Sequence, residues 1–239
     1  QITARRRASK IPDQVRYAPK WRLVLDMLDE LAAWGQSPPV LTADAGYGQA
    51  AAFRAGLRQR DIRYVLAVTA TVTAHPGQAE PVEAAYTGVG KRPRPRYPDP
   101  AQTLKTLATT PPPDTTDTTE QGAITARTLG AQQVRWREAA RSSPDKRVWM
   151  SGWFTAIRVR PAGRGITPGP DGTYPDAWLL TQWPGPDADA PSDYWLSDLP
   201  PDTSLKDLVC IAKARWRIEG DYRELKTALG LDHFEGRSW

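Results

Sequence analysis

The stretch from Val40 to Val68 restricts the possible fold more than any other part of the chain. Val40-Leu-Thr-Ala43 is a short apolar run ending at Asp44, with Gly46 and Gly48 close behind. It predicts a buried strand that carries an aspartate to its C-terminal end. Gln49 to Arg60 has a helical pattern through Ala52, Phe53 and Leu57, and residues 62–68 read as a second strand. Strand, helix and strand at these lengths imply a parallel βαβ unit. Asp44 then lies at the sheet edge where such folds bind ligands.

The flanks extend this α/β pattern. Between Pro19 and Gly35, Trp21, Leu25, Leu28 and Ala32 recur at helical spacing, with Val24, Leu31 and Trp34 widening the apolar face. Gly35 is a natural stop, and Pro38 and Pro39 separate this helix from the strand. Residues 87–123 are rich in Pro, Thr and charge and predict a mobile segment, too polar to offset the entropy of ordering. Its basic run 91–96 reads as a solvated linker or as a DNA contact. Strand-like runs follow at 133–137, 148–159 and 178–183, broken by a Pro/Gly-rich turn at 161–176. Ser204-Leu-Lys-Asp207 has capping-box spacing and opens a helix expected to run to about Leu229, where Gly230 ends it. Leu205, Leu208, Val209, Ala212 and Trp216 give that helix a core face. The expected organisation is residues 1–70 as the first part of a core, 71–200 as a β-rich insertion, and 201–239 as a C-terminal core helix.

Composition removes several classes. The lone Cys210 excludes a disulfide framework or a multi-cysteine zinc site, and two histidines argue against a histidine-rich metal centre. Apolar neighbours on both sides predict that Cys210 is a buried, inert thiol. Thirty-two Lys and Arg against 27 Asp and Glu give a formal charge of +5, which suits a polyanionic partner. The sequence contains no apolar run of membrane-spanning length and no signal peptide, so a cytoplasmic location is expected. The start at Gln1 and the stop at Trp239 predict an internal segment of a longer chain.

Arg215, Glu219, Tyr222 and Lys226 fall at helical spacing on one stripe of the C-terminal helix. Such a stripe is either a solvated face, with ion pairs worth about 0.2–0.5 kcal/mol each, or one wall of a site. Asp221 and Glu224 project elsewhere. Asp44 is equally open at this level. It either shapes a turn by accepting backbone N–H groups or serves as a hard oxygen ligand for a magnesium ion.

Taken in chain order, these elements resemble insertion-sequence transposases of the DDE superfamily, in the subgroup with a β insertion and the signature Tyr-x2-Arg-x3-Glu-x6-Lys. Arg215, Glu219 and Lys226 match the last three positions at the correct spacing, and Ala212 occupies the Tyr position. Asp44-Ala-Gly-Tyr-Gly48 and residues 230–239 also look like this group. The resemblance implies an α/β fold, a partial RNase H-like core with its opening strands missing and a β-rich insertion. Asp44 becomes the second catalytic acid and metal ligand and Glu219 the third. Arg215, Lys226 and Tyr222 bind DNA phosphate, and two Mg2+ ions occupy the complete site. Trp149, Trp153 or Trp178 are candidates for stacking on a base.

The resemblance further implies double-stranded DNA as partner, at transposon ends and target. It allows a homodimer, and it implies a bacterial, nucleoid-associated location. The first acid has no counterpart in residues 1–18, so the segment alone is expected not to cleave DNA. The alternative reading is a catalytically inactive DNA-binding remnant or an inhibitor of an intact transposase.

Overall fold

The structure, a computed structural model, describes residues 6, 8–10, 12, 14–83, 85–86, 88, 90–91, 93–111, 125–140, 143–215, 218, 221–222 and 225–226. Helix α1 (Lys20–Ala33) leads into β1 (Val40–Ala43), the short turn-helix α2 (Ala45–Gly48), α3 (Ala51–Arg58) and β2 (Arg63–Val68). Then come β3 (Thr73–Pro76), β4 (Gln102–Thr103), α4 (Leu104–Thr109), β5 (Gln132–Ala140), β6 (Ser143–Pro161), β7 (Ala177–Trp183), β8 (Asp193–Ser197) and α5 (Leu205–Ala214). The expected βαβ unit is present, with β1 and β2 parallel and Ala43 beside Leu66.

All eight strands among the described residues belong to one mixed sheet in the order β1-β2-β8-β7-β6-β3-β4, with β5 pairing along the first half of β6. The strands expected from the alternating runs at 133–183 therefore extend the sheet that holds Asp44. Strand β8 enters between β2 and β7, antiparallel to both, and joins the two halves. Successive β2 residues serve opposite faces, as strand geometry requires. Val65 packs with Leu180, Trp195 and Phe154 under Leu208, Val209 and Ala212 of α5. On the opposite face Tyr64 and Leu66 meet Leu25 and Leu28 of α1 and Phe53 and Leu57 of α3. Val68, Leu179 and Leu196 continue that face to α4 through Leu104, Leu107 and Ala108. Helices on both faces of a mixed sheet make an α/β fold compatible with a partial RNase H-like core.

Two expectations are corrected. Part of the stretch 87–123 expected to be mobile is packed. Tyr97 stacks on His75 at 4.0 Å, its hydroxyl accepts a 3.1 Å bond from the Tyr174 N–H, and Leu104 is fully buried. Thr103 caps α4 by accepting from the Thr106 N–H, and Leu104, Leu107 and Ala108 form a helical stripe that outweighs the polar composition around them. Residues 112–123 lie outside the described residues. Cys210 is exposed rather than buried. Leu208, Val209 and Ala212 occupy the inward stripe of α5, and the helical rotation turns position 210 away from it.

Candidate active site

Asp44 sits where the β1 pattern places it, at the C-terminal end of a parallel strand and exposed to solvent. It is the N-cap of α2, its Oδ1 accepting from the Gly46 N–H at 2.9 Å while its carbonyl accepts from Tyr47 and Gly48. Among the described residues the other carboxylate oxygen makes no hydrogen bond. The turn-shaping role is therefore real, and it leaves half of the carboxylate available to a ligand.

The turn that holds Asp44 is clamped from below. Gly48 is buried against β2, and a Cβ there would overlap the carbonyl oxygen of Ala67 and lie 3.1 Å from Leu66 Cβ. Gly48 is therefore a close-approach glycine. From α3, the guanidinium of Arg54 donates to the Gly48 carbonyl. Arg54 is only 5% exposed, and burial pulls its pKa below the ordinary arginine value.

Helix α5, which leads to the signature stripe, packs against β1 and β2, the strands that carry the Asp44 turn. Ser204 caps it by accepting from the Asp207 N–H at 3.1 Å, as the capping-box spacing requires. Arg215 closes the helix and is half-buried. Ile218, Asp221, Tyr222, Leu225 and Lys226 are also helical and exposed, so Tyr222 and Lys226 stand on an open face. Glu219 and Trp216 lie outside the described residues. Among the described residues no three metal-capable side chains cluster together.

Several charged residues near this region were not singled out from the sequence. Lys213 lies over the rings of Trp195 (4.9 Å), Trp136 (5.5 Å) and Phe154 (5.8 Å) and donates to the Gln182 side chain. Burial lowers its pKa, opposed by Asp193 and Glu138. Arg54 and Arg58 are four apart on α3, a basic pair on an otherwise apolar helix, and that spacing was the available signal. Asp198 accepts from the Tyr64 N–H at 2.8 Å, with Arg58 Nε 3.6 Å away. Burial pushes the Asp198 carboxyl above its ordinary range, against the pull of the Tyr64 N–H and Arg58.

Of the three candidate stacking rings, the structure leaves only Trp149 open. It is 55% exposed, with Arg135 and Arg137 each 5.1 Å from its ring centre on neighbouring β5. Trp153 is half-buried, and Trp178 is held by Arg158 at 4.5 Å and by a bond from its Nε1 to the Pro200 carbonyl.

A helix-flanked mixed sheet presenting an aspartate at the end of a parallel strand places the chain among α/β proteins. The chain belongs to the DDE superfamily endonuclease family, whose profile matches residues 1–143. No curated protein matches it. DDE endonucleases act on DNA, and enzymes of this superfamily generally use divalent metals. Among the described residues, no helix is long and apolar enough to cross a membrane.

Proposed function

We propose that the chain carries the catalytic face of an insertion-sequence DDE transposase, with Asp44 and Glu219 as its acids. One observation carries this reading: in a DDE endonuclease chain, Asp44 ends a parallel strand with one carboxylate oxygen uncommitted. That oxygen is a hard donor of the type Mg2+ takes, and Asp44 and Glu219 would hold the ion. When bound, the metal supplies charge stabilisation and a nucleophile for in-line attack on a phosphodiester. The rest falls to the chain's own groups. The Gly46 N–H orients the Asp44 carboxylate, and the Gly48–Arg54 brace fixes the turn against β2. Arg215 and Lys226 attract backbone phosphates, and Tyr222 offers a hydroxyl to the same strand. Trp149, between two arginines, supplies a face for an unpaired base.

The test is Mg2+-dependent nicking of supercoiled plasmid by the gene product that carries this chain. Loss of nicking in Asp44→Asn and in Glu219→Gln, with DNA affinity retained, is the expected result. Full activity of Asp44→Asn refutes the assignment.

A further inference from the structure

A second site lies on the outer side of α3, against the loop that follows β6. Ala51, Arg54, Ala55 and Arg58 of α3, Tyr64 of β2, and residues 161–175 enclose a cavity of about 230 Å³. It is smaller than the roughly 300–1,000 Å³ of sites for drug-sized ligands, yet far larger than one water needs. Its walls are mostly apolar, from Ala51, Ala55, Pro161, Ile166 and Pro175. Gly165 adopts φ +89° where the loop crosses α3, and a Cβ there would touch Ala51.

One charge in this cavity lacks a counterpart among the described residues. Arg54 is nineteen-twentieths buried, and no described carboxylate pairs with it. Among the described residues its one hydrogen bond goes to the Gly48 carbonyl. A buried cation is ordinarily paired or neutralised, because desolvation costs several kcal/mol. Arg58 adds a second guanidinium, 5.9 Å from the Tyr64 ring centre and only partly offset by Asp198 at 3.6 Å. The unbonded donors of Arg54, with the Arg58 guanidinium beside them already donating to the Asp176 carbonyl at 3.0 Å, suit a tetrahedral oxyanion in an apolar-walled cavity, whose oxygens accept forked bonds.

We propose that the Arg54–Arg58 cavity is a binding site for a single phosphate group. The ligand bonds the free Arg54 donors and supplies the missing negative charge. That group comes either from the backbone of bound DNA or from a free phosphorylated small molecule. The cavity lining does not include Asp44, and phosphate binding there is read independently of DNA cleavage, so the proposal stands whether or not Asp44 is catalytic.

The experiment titrates inorganic phosphate into the chain at fixed ionic strength, with chloride as control, followed by 31P line broadening and by the melting temperature. Saturable, phosphate-specific binding is expected, weakened about tenfold or more in Arg54→Met. Ala55→Glu keeps Arg54 in place and puts a carboxylate on the exposed cavity wall. It should abolish phosphate binding without lowering the melting temperature, which covers the case in which Arg54→Met fails to fold. DNA affinity measured in Ala55→Glu, which leaves the Arg54–Gly48 brace in place, identifies the source. A parallel loss marks a backbone phosphate, and unchanged DNA affinity marks a free phosphorylated ligand. Wild-type protein that binds phosphate no better than chloride, or binding that survives both substitutions, overturns the proposal.

Discussion

Replacing Gly48 by alanine tests whether the Asp44 turn is held by close backbone packing. The added methyl would occupy the space of the Ala67 carbonyl oxygen and stand 3.1 Å from both the Ala67 carbonyl carbon and Leu66 Cβ. None of these is the far end of a flexible side chain, so α2 must lift from β2. Overpacking of this kind costs about 1–3 kcal/mol. The lift also withdraws the Gly48 carbonyl from buried Arg54, a charged hydrogen bond worth about 1.5–3 kcal/mol. Together they amount to about 4 kcal/mol. For a domain of this size that lowers the melting temperature by roughly 8–16 °C, measurable by calorimetry or circular dichroism. Gly46→Ala is the internal control. Its Cβ meets only the exposed Asp44 carboxylate at 3.1 Å, so the melting point should stay within a few degrees. Gly48→Ala melting like the wild type would refute the close-approach argument and, with it, the rigid placement of Asp44.

Three further outcomes are expected. His75 is buried in a stack with Tyr97 and Tyr174, and burial depresses its pKa, with Asp99 opposing. The unfolded chain therefore takes up this proton first, and stability falls as pH drops below the ordinary histidine value of about 6.5. His75→Phe should flatten the melting-temperature profile there, and an unchanged slope would assign the loss to other groups. Leu104→Ala empties a fully buried site under α4 and should cost about 2–5 kcal/mol, read by urea unfolding, with faster proteolysis between residues 93 and 111. Removing Arg215 and Lys226 together should reduce the slope of log affinity against log salt by about 1.8 for duplex DNA, measured by fluorescence anisotropy.

The local fold was readable where periodicity and punctuation agree. The β1-α3-β2 unit, α1 and the Ser204 cap all combine a stripe or alternation with a clear stop. The long-range pairing was not readable, because nothing local to Asp193–Ser197 says that β8 slots between β2 and β7. The same limit hid α4. Its Thr103 cap and Leu104, Leu107, Ala108 stripe are visible, but they lie in a Pro/Thr-rich stretch whose average polarity masks them. At the candidate site, the position of Asp44 was legible because a strand end fixes one residue. Arg54 was not, because its burial depends on a loop more than a hundred residues away folding over α3. Cys210 shows the converse, since apolar neighbours in sequence are not neighbours on a helix face.

The placement of β8 also sets an order of events for a chain emerging from the ribosome. About 125 residues separate the end of β2 from the strand that covers its open edge. At roughly 5–20 residues per second, that edge waits some 6–25 s for its partner. During that interval β1-β2 and the β3–β7 part of the sheet are two unjoined pieces, each with unpaired backbone donors and acceptors. Helix α5 follows β8 and docks on strands from both pieces. The surface leading to Arg215 is therefore assembled only when nearly the whole sheet has closed, and truncation before Asp193 would leave two sticky half-sheets rather than a smaller version of the protein.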